Sequence, residues 1–310
     1  MRVAVFGAGG VGAYFGARLA AAGVELAVIA RGAHLEAIRA GGLRVDSVLG
    51  DLLIEPAIAS ASTADIGPVD VVLLGVKTWQ VAEAVPSLGP LLGPDTLVVP
   101  LQNGVETVEE LAETLGSKHV AGGLCSGFCF IVAPGHIKHI GGVTFIKFGE
   151  LDGTKSARVE ALRDAFVGAG VDAIVPDDIR VALWEKFLLV VPFGGLGAVT
   201  RAPIGVLLSP PTRELLMAGM REIESIARAR GVALPEDCVE RALEVLESVN
   251  PAGTSSLQRD IAAGKRSELD DWSGAVVRLG ARAGVPTPLH AYLYASLLPL
   301  ERRARGELAF

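Results

Sequence analysis

The sequence predicts an α/β domain followed by an all-α domain, and three observations predict it. Apolar β-rich runs alternate with helical segments over the first third of the chain. A glycine-rich turn, Gly7-Ala8-Gly9-Gly10-Val11-Gly12, joins the first such run to the first helix. Beyond Pro176 the alternation stops and only helical periodicity remains. The domain boundary is therefore placed there, giving residues 1–176 and 177–310.

The elements follow in order. Arg2–Phe6 is a short apolar strand and Gly10–Ala22 an Ala-rich helix. Leu26–Ala30 is a second strand, and Ala33–Ala40 a helix stopped by Gly41-Gly42, where C-cap glycines belong. Leu43–Val48 and Leu52–Ile54 flank Gly50-Asp51 as a hairpin. Val69–Val76 and Thr96–Leu101 are continuous apolar runs, as parallel strands buried on both faces require. Helical segments follow them near Trp79–Ala84 and Val105–Leu115. Alternation of this kind is a Rossmann-type, doubly wound parallel sheet. Val120–Val132, His136–Gly141 and Thr144–Gly149 are β-like and too closely spaced for helical crossovers, so they are expected to extend the sheet in antiparallel fashion. Ser156–Gly168 is a helix and Val171–Val175 a last strand. Helices are then predicted over Arg213–Arg230, Glu236–Val249, Leu257–Ala263 and Trp272–Ala283.

Composition narrows the function classes. Of 310 residues, 50% are apolar and 20% charged, enough for a packed core and unlike a disordered chain. The net charge is −7 and no Lys/Arg-rich run offsets it, which argues against a nucleic-acid-binding surface. Three cysteines cannot make a disulfide framework and suit a reducing, cytoplasmic compartment. Five glycines interrupt the apolar N-terminal stretch, unlike a signal-peptide core. The longest uncharged stretches, 120–135 and 187–200, fall short of a membrane span, so the chain is expected to be soluble.

The Gly7–Gly12 turn has the strand–turn–helix context of a dinucleotide-binding loop. Gly7 permits the tight turn, Gly9 lets the backbone approach a pyrophosphate, and Gly12 lets helix and strand close up. The helix N-terminus then supplies N–H groups and a positive dipole end. A plain glycine-rich turn is the competing reading. At the end of the second strand an NAD site would carry an acidic residue, but Glu25 lies at the wrong end and Arg31 stands in the right place. A guanidinium there suits a 2′-phosphate, which favours NADP, although a solvated helix-start arginine would look the same. Lys77 and Gln102-Asn103-Gly104 follow two further strands at the edge where open α/β sheets bind ligands.

Here the chain resembles the ketopantoate reductase (2-dehydropantoate 2-reductase) family over nearly its whole length. The resemblance rests on Gly7–Gly12, Arg31-Gly32, Lys77-Thr78-Trp79-Gln80, Leu101-Gln102-Asn103-Gly104, Pro134-Gly135 and Gly141-Gly142. In the second half it rests on Leu183-Trp184-Glu185-Lys186, Ser255-Ser256-Leu257-Gln258 with Asp260, Glu268-Leu269-Asp270 and Gly284-Val285-Pro286-Thr287-Pro288. It implies NADPH-dependent reduction of a 2-oxo acid at a cleft between the two domains, and at family level a homodimer through the helical domain. By that similarity Lys186 donates the proton, Glu268 orients the reacting end of the substrate, and Ser256 holds its carboxylate. Asn103 would touch substrate and nicotinamide ribose, and the Gly7–Gly12 loop, Arg31 and Lys77 would hold the cofactor. An ammonium beside a ketone oxygen stabilises the charge that hydride transfer builds there, which makes the lysine role chemically sound.

The chain also departs from that pattern. Where family members that reduce ketopantoate carry asparagines, four and eight residues after the lysine, this sequence has Val190 and Gly194, with Pro192 between them. Asparagines expected near Ile204 and Gly253 are missing too. The substrate-binding wall is therefore expected to suit a less polar 2-oxo acid. The alternative function is a non-catalytic NADP-binding sensor or interaction protein of the same fold. No metal is expected: the five histidines form no cluster, and Cys125 and Cys129, placed on one β run, would lie about 13 Å apart.

Overall fold

The first strand, β1 (Arg2–Phe6), is the centre of the sheet that organises the N-terminal half. In the computed structural model, which describes all residues from Met1 to Phe310, α1 (Gly10–Ala21), β2 (Glu25–Ile29) and α2 (Gly32–Gly41) follow it. Next come β3 (Leu43–Ser47), β4 (Leu52–Ile54), β5 (Ile58–Ser60), β6 (Val69–Leu74), the single turn α3 (Val81–Ala84) and β7 (Leu92–Pro100). Strands β5-β2-β1-β6-β7 form one all-parallel sheet. Val3–Phe6, Leu26–Ile29 and Val71–Leu74 of its inner strands are buried, which is why these stretches read as unbroken apolar runs. Phe6 pairs with Ile29 and Leu74, and Leu74 with Pro100, so the loops after β1, β2, β6 and β7 leave the sheet along one edge. Tyr14, Phe15 and Leu19 of α1 are completely buried in the core beneath this sheet.

After α4 (Glu106–Leu115) come β8 (Ala121–Ser126), β9 (Cys129–Ala133), β10 (His136–His139) and β11 (Phe145–Glu150). They do not extend the main sheet, contrary to the sequence expectation. Strands β4-β3-β10-β9 make a separate sheet in which β10 runs parallel to β3, and β8 and β11 form another with β12 (Asp172–Ile174). Pro94 and Pro100 lie in β7 and lack the N–H that further pairing would use, and that edge carries a single bridge, Val98 to Val120. Helix α5 (Ala157–Gly168), capped by the Ser156 hydroxyl accepting from the Val159 N–H, precedes β12.

The remainder is helical: α6 (Ile179–Thr200), α7 (Ile204–Leu207), α8 (Thr212–Ala229), α9 (Cys238–Ser248), α10 (Ser256–Ala262), α11 (Ser273–Ala283) and α12 (Pro288–Ala304). The chain divides into two compact units, Met1–Gln102 with Thr107–Ile179 and Asn103–Glu106 with Arg180–Phe310. Helix α6 runs unbroken through Pro192 and is long and apolar enough to cross a membrane, so the shorter stretch read from the sequence underestimated it. Two thirds of its apolar window is buried inside the protein, as in a core helix. Small residues make it the hub of the helical unit. Cβ atoms built at Gly194, Gly195 and Gly197 would meet Trp272, Leu293 and Gln258, from three different segments.

Candidate active site

The edge of the main sheet carries the glycine loop. Gly7 has φ +90°, and a Cβ there would sit 2.7 Å from Val76 Cγ1 and 2.8 Å from its nitrogen. At Gly12 the obstacle would be the Gly7 carbonyl oxygen at 2.7 Å, with Val5 Cγ1 at 3.2 Å. Gly9 is different: its nearest neighbour would be the Gly75 carbonyl oxygen at 3.8 Å, which leaves its surface open to a ligand. The loop is thus closed against the sheet at its two ends and open in the middle, the shape a pyrophosphate needs. Gly10 serves a contact that the sequence did not reveal, since a Cβ there would lie 2.3 Å from the Cys129 carbonyl oxygen of β9. Ala8 is buried and its N–H, like that of Gly7, donates to the Ile29 carbonyl, while Val11 is half-buried in the first turn of α1.

Arg31 stands at the head of α2 just beyond β2, exposed, with Nη1 3.8 Å from Glu83 Oε1. Both side chains are more than two thirds exposed, so this pair is loose and the guanidinium can turn to a ligand. Glu25 lies at the opposite end of β2, 2.8 Å from Arg2. Lys77 is exposed beyond β6, its ammonium 5.7 Å from the centre of the Trp79 ring, and its N–H donates to Gln80 Oε1. Gln102 was part of a sequence motif without a role of its own. Its amide nitrogen donates to the Leu74 and Val76 carbonyls at 2.9 and 2.8 Å, tying the ends of β6 and β7 together.

The other site residues, Asn103, Lys186, Ser256 and Glu268, all belong to the helical unit. Asn103 and Gly104 join it through Glu106, whose carboxylate pairs with Arg278 at 2.6 Å and Arg282 at 3.5 Å. A Cβ on Gly104 would lie 3.9 Å from the Asp271 carbonyl oxygen, which brings this segment to the Glu268–Trp272 turn. In that turn the N–H groups of Asp271 and Trp272 donate to the Glu268 carbonyl. Lys186 and Val190 lie half-buried on α6, and Ser256 half-buried at the start of α10, which Ser255 caps through the Gln258 N–H. Glu268 is 6% exposed.

Gly194 does not offer a wall to a substrate, as the spacing from Lys186 suggested. A Cβ there would sit 2.4 Å from Trp272 Cζ3 and 3.4 Å from Leu257 Cδ2, so packing fills its side-chain space. Ile204 is fully buried as well. Nothing in the sequence marked Trp272 beyond its place at a helix start, and the Gly194-Gly195 pair is the signal that could have found it.

Charged and nucleophilic groups elsewhere serve the fold. His290 is fully buried with Nδ1 2.6 Å from Glu222 Oε2, and Glu222 also accepts the N–H groups of Leu289 and His290. Burial works to raise the Glu222 carboxyl, but these bonds outweigh it and hold it below the ordinary range. His136 faces Asp46, and His139 lies between the Ser47 and Thr144 hydroxyls. Cys125 and Cys129 are on two different strands rather than one run, and burial together with the Cys125 charge pushes the Cys129 thiol up to about 12. No three His, Cys, Asp or Glu side chains gather as a metal would require.

Comparison with known proteins shows the family. Residues 3–153 fit the ketopantoate reductase PanE/ApbA family, and residues 178–301 fit its C-terminal domain. A 2-dehydropantoate 2-reductase from Mesorhizobium japonicum is 34% identical, covering 93% of this chain and 94% of its own. The crystal structure of a PanE/ApbA family ketopantoate reductase from Ralstonia eutropha JMP134 superposes with a TM-score of 0.89 at 33% identity, covering 98% of this chain and all of the other. That of 2-dehydropantoate 2-reductase from Methylococcus capsulatus gives 0.90 at 32% identity, covering 98% of each. The chain that carries this glycine loop on its sheet edge thus belongs to the ketopantoate reductase PanE/ApbA family.

Proposed function

We propose that the protein is an NADP-dependent oxidoreductase that reduces a 2-oxo acid, of the 2-dehydropantoate 2-reductase type. The observation that carries this reading is the meeting of the Asn103-Gly104 segment, α6, the start of α10 and the Glu268–Trp272 turn within one unit. The Gly7–Gly12 loop fits a dinucleotide: open at Gly9, closed at Gly7 and Gly12, with the exposed Arg31 and Lys77 on the same sheet edge. Those residues would hold the cofactor, Arg31 taking the 2′-phosphate that distinguishes NADP from NAD. The chemistry the cofactor supplies when bound is hydride transfer to the ketone carbon.

The protein residues do the rest. Ser256, at the first turn of α10, donates its hydroxyl to the substrate carboxylate. Glu268 and Asn103 orient the reacting end, and the Lys186 ammonium donates a proton to the ketone oxygen as charge develops on it. Among the positions where polar contacts to a substrate hydroxyl were missing, Gly194 and Ile204 are closed off, whereas Val190 and Gly253 are half-buried and keep an exposed portion. A hydroxyl buried beside Val190 without a partner costs about 1–3 kcal/mol, roughly ten- to over a hundredfold in specificity. The preferred substrate is therefore a 2-oxo acid with an apolar branch.

The test is NADPH oxidation against a panel of 2-oxo acids that includes 2-dehydropantoate and its analogues lacking the hydroxyl. Turnover of the apolar acids with higher kcat/KM supports the reading. Equal or better turnover of 2-dehydropantoate would remove the apolar preference. Absence of turnover across the panel, with NADPH still bound, would refute the enzyme.

A further inference from the structure

Glu301 of α12 is 1% exposed, and a carboxylate so deeply placed is costly unless its lone pairs are satisfied. They are. Oε2 accepts from the Ser267 N–H at 2.9 Å and from the Ser267 hydroxyl at 2.5 Å, and Oε1 accepts from Arg305 Nε at 2.9 Å. One turn along the helix Arg305 pairs through Nη2 with Asp270, whose other oxygen accepts from the Tyr294 hydroxyl at 2.8 Å. Burial alone would lower the Arg305 guanidinium, but its bonds to Asp270 and Glu301 prevail and raise it.

These contacts converge on one short segment. Ser267 and Asp270 lie on either side of Glu268, and both are fastened to α12. Inside the segment the Leu269 N–H donates to the Ser267 hydroxyl at 3.3 Å. The Asp271 and Trp272 N–H groups donate to the Glu268 carbonyl at 3.2 and 3.0 Å. Packing of α12 does not need a buried carboxylate, because Leu293 and Leu297 already bury its apolar face. What the carboxylate adds is a fixed position for the residues next to it.

We propose that Glu301, acting with Arg305, is a positioning residue that locks the Ser267–Trp272 turn and with it the Glu268 carboxylate. The consequence for turnover rests on the proposed role of Glu268, whereas the fastening of the turn does not. A carboxylate that wanders by about 1 Å from its working place costs up to about a hundredfold in rate. Glu301→Gln keeps the volume but turns an amide N–H₂ towards either Ser267 or Arg305, both of which are donors.

The experiment compares wild type, Glu301→Gln and the milder Arg305→Lys by steady-state kinetics and by hydrogen exchange of the purified full chain. In Glu301→Gln, kcat with the best 2-oxo acid should fall about ten- to a hundredfold while the KM for NADPH stays within about twofold. Exchange at the Leu269, Asp271 and Trp272 amides should quicken, with α8 and α9 unchanged. Arg305→Lys should show the same pattern more weakly, and it decides the question if Glu301→Gln does not fold. Wild-type kcat in the variants, unchanged exchange in the turn, or a uniform loss that includes NADPH affinity would each overturn the proposal. Should wild type reduce no 2-oxo acid, the proposed function fails, and exchange at the three amides alone decides whether Glu301 holds the turn.

Discussion

Replacing Gly194 by alanine adds one methyl group at the centre of the helical unit, and two effects oppose each other there. In a helix interior alanine is favoured over glycine by about 1 kcal/mol. Against that, the new carbon would lie 2.4 Å from Trp272 Cζ3 and 2.9 Å from Cε3, well inside the contact distance of about 3.5–4 Å. The indole is 2% exposed and cannot swing into solvent. Overpacking of this kind costs about 1–3 kcal/mol, and the depth of the overlap with a rigid ring puts Gly194 at the upper end. Packing therefore wins, and Gly194→Ala should lose about 2 kcal/mol net. Urea denaturation followed by far-ultraviolet circular dichroism measures it, with Trp272→Leu and the double variant completing a cycle. In the Trp272→Leu background the alanine should become neutral or stabilising, a coupling of about 2–3 kcal/mol. Equal stability of Gly194→Ala and wild type, or an unchanged cost after Trp272→Leu, would refute the reasoning. The same overlap means that Gly194→Asn displaces the indole instead of supplying a substrate contact.

Three further outcomes are expected. Arg31→Ala should raise the KM for NADPH about ten- to a hundredfold and leave NADH within about twofold, since a hydrogen bond to a charged group contributes about 1.5–3 kcal/mol. Equal effects on both cofactors would remove Arg31 from the 2′-phosphate. Lys186→Ala should lower kcat by about 10²–10⁴, the usual share of general acid catalysis, while the NADPH Kd measured by fluorescence titration holds. Glu150 is 8% exposed and accepts from Arg158 Nε and Nη2, both at 2.8 Å, and from the Ser156 hydroxyl at 2.6 Å. Burial raises its carboxyl, but these bonds prevail and hold it below the ordinary range. Its stabilisation is thus present above the unfolded carboxyl range, near pH 4.5, and lost as pH falls through the folded value. Glu150→Gln should accordingly be less stable than wild type at neutral pH by about 1–3 kcal/mol, with the gap closing in acid. A gap independent of pH would show that the carboxylate's charge is not what matters.

The sequence by itself determined the elements whose signals are local. The parallel strands β1, β2, β6 and β7 are buried on both faces, so their apolar runs had to be continuous, and each was readable without knowing its neighbours. The glycine loop was legible because Gly12 meets the Gly7 carbonyl and Val5 only a few residues away along the chain, whereas the Val76 that closes on Gly7 comes from a distant segment. The order of motifs in the second half pointed to Lys186, Ser256 and Glu268 as a set. Tertiary structure alone decided three things. Strand β10 chose β3 as its parallel partner, although more than eighty residues separate them, and a pairing so distant leaves no trace in local pattern. Gly194 proved to be a seat for Trp272, which no spacing rule along α6 could show, since the residue that fills the space arrives from another segment. Glu301 belongs to no motif or spacing in the sequence, yet it is buried and binds Ser267, thirty-four positions earlier. Local periodicity records which face of an element is apolar. It does not record which distant group will meet that face, because that is decided only when the elements pack.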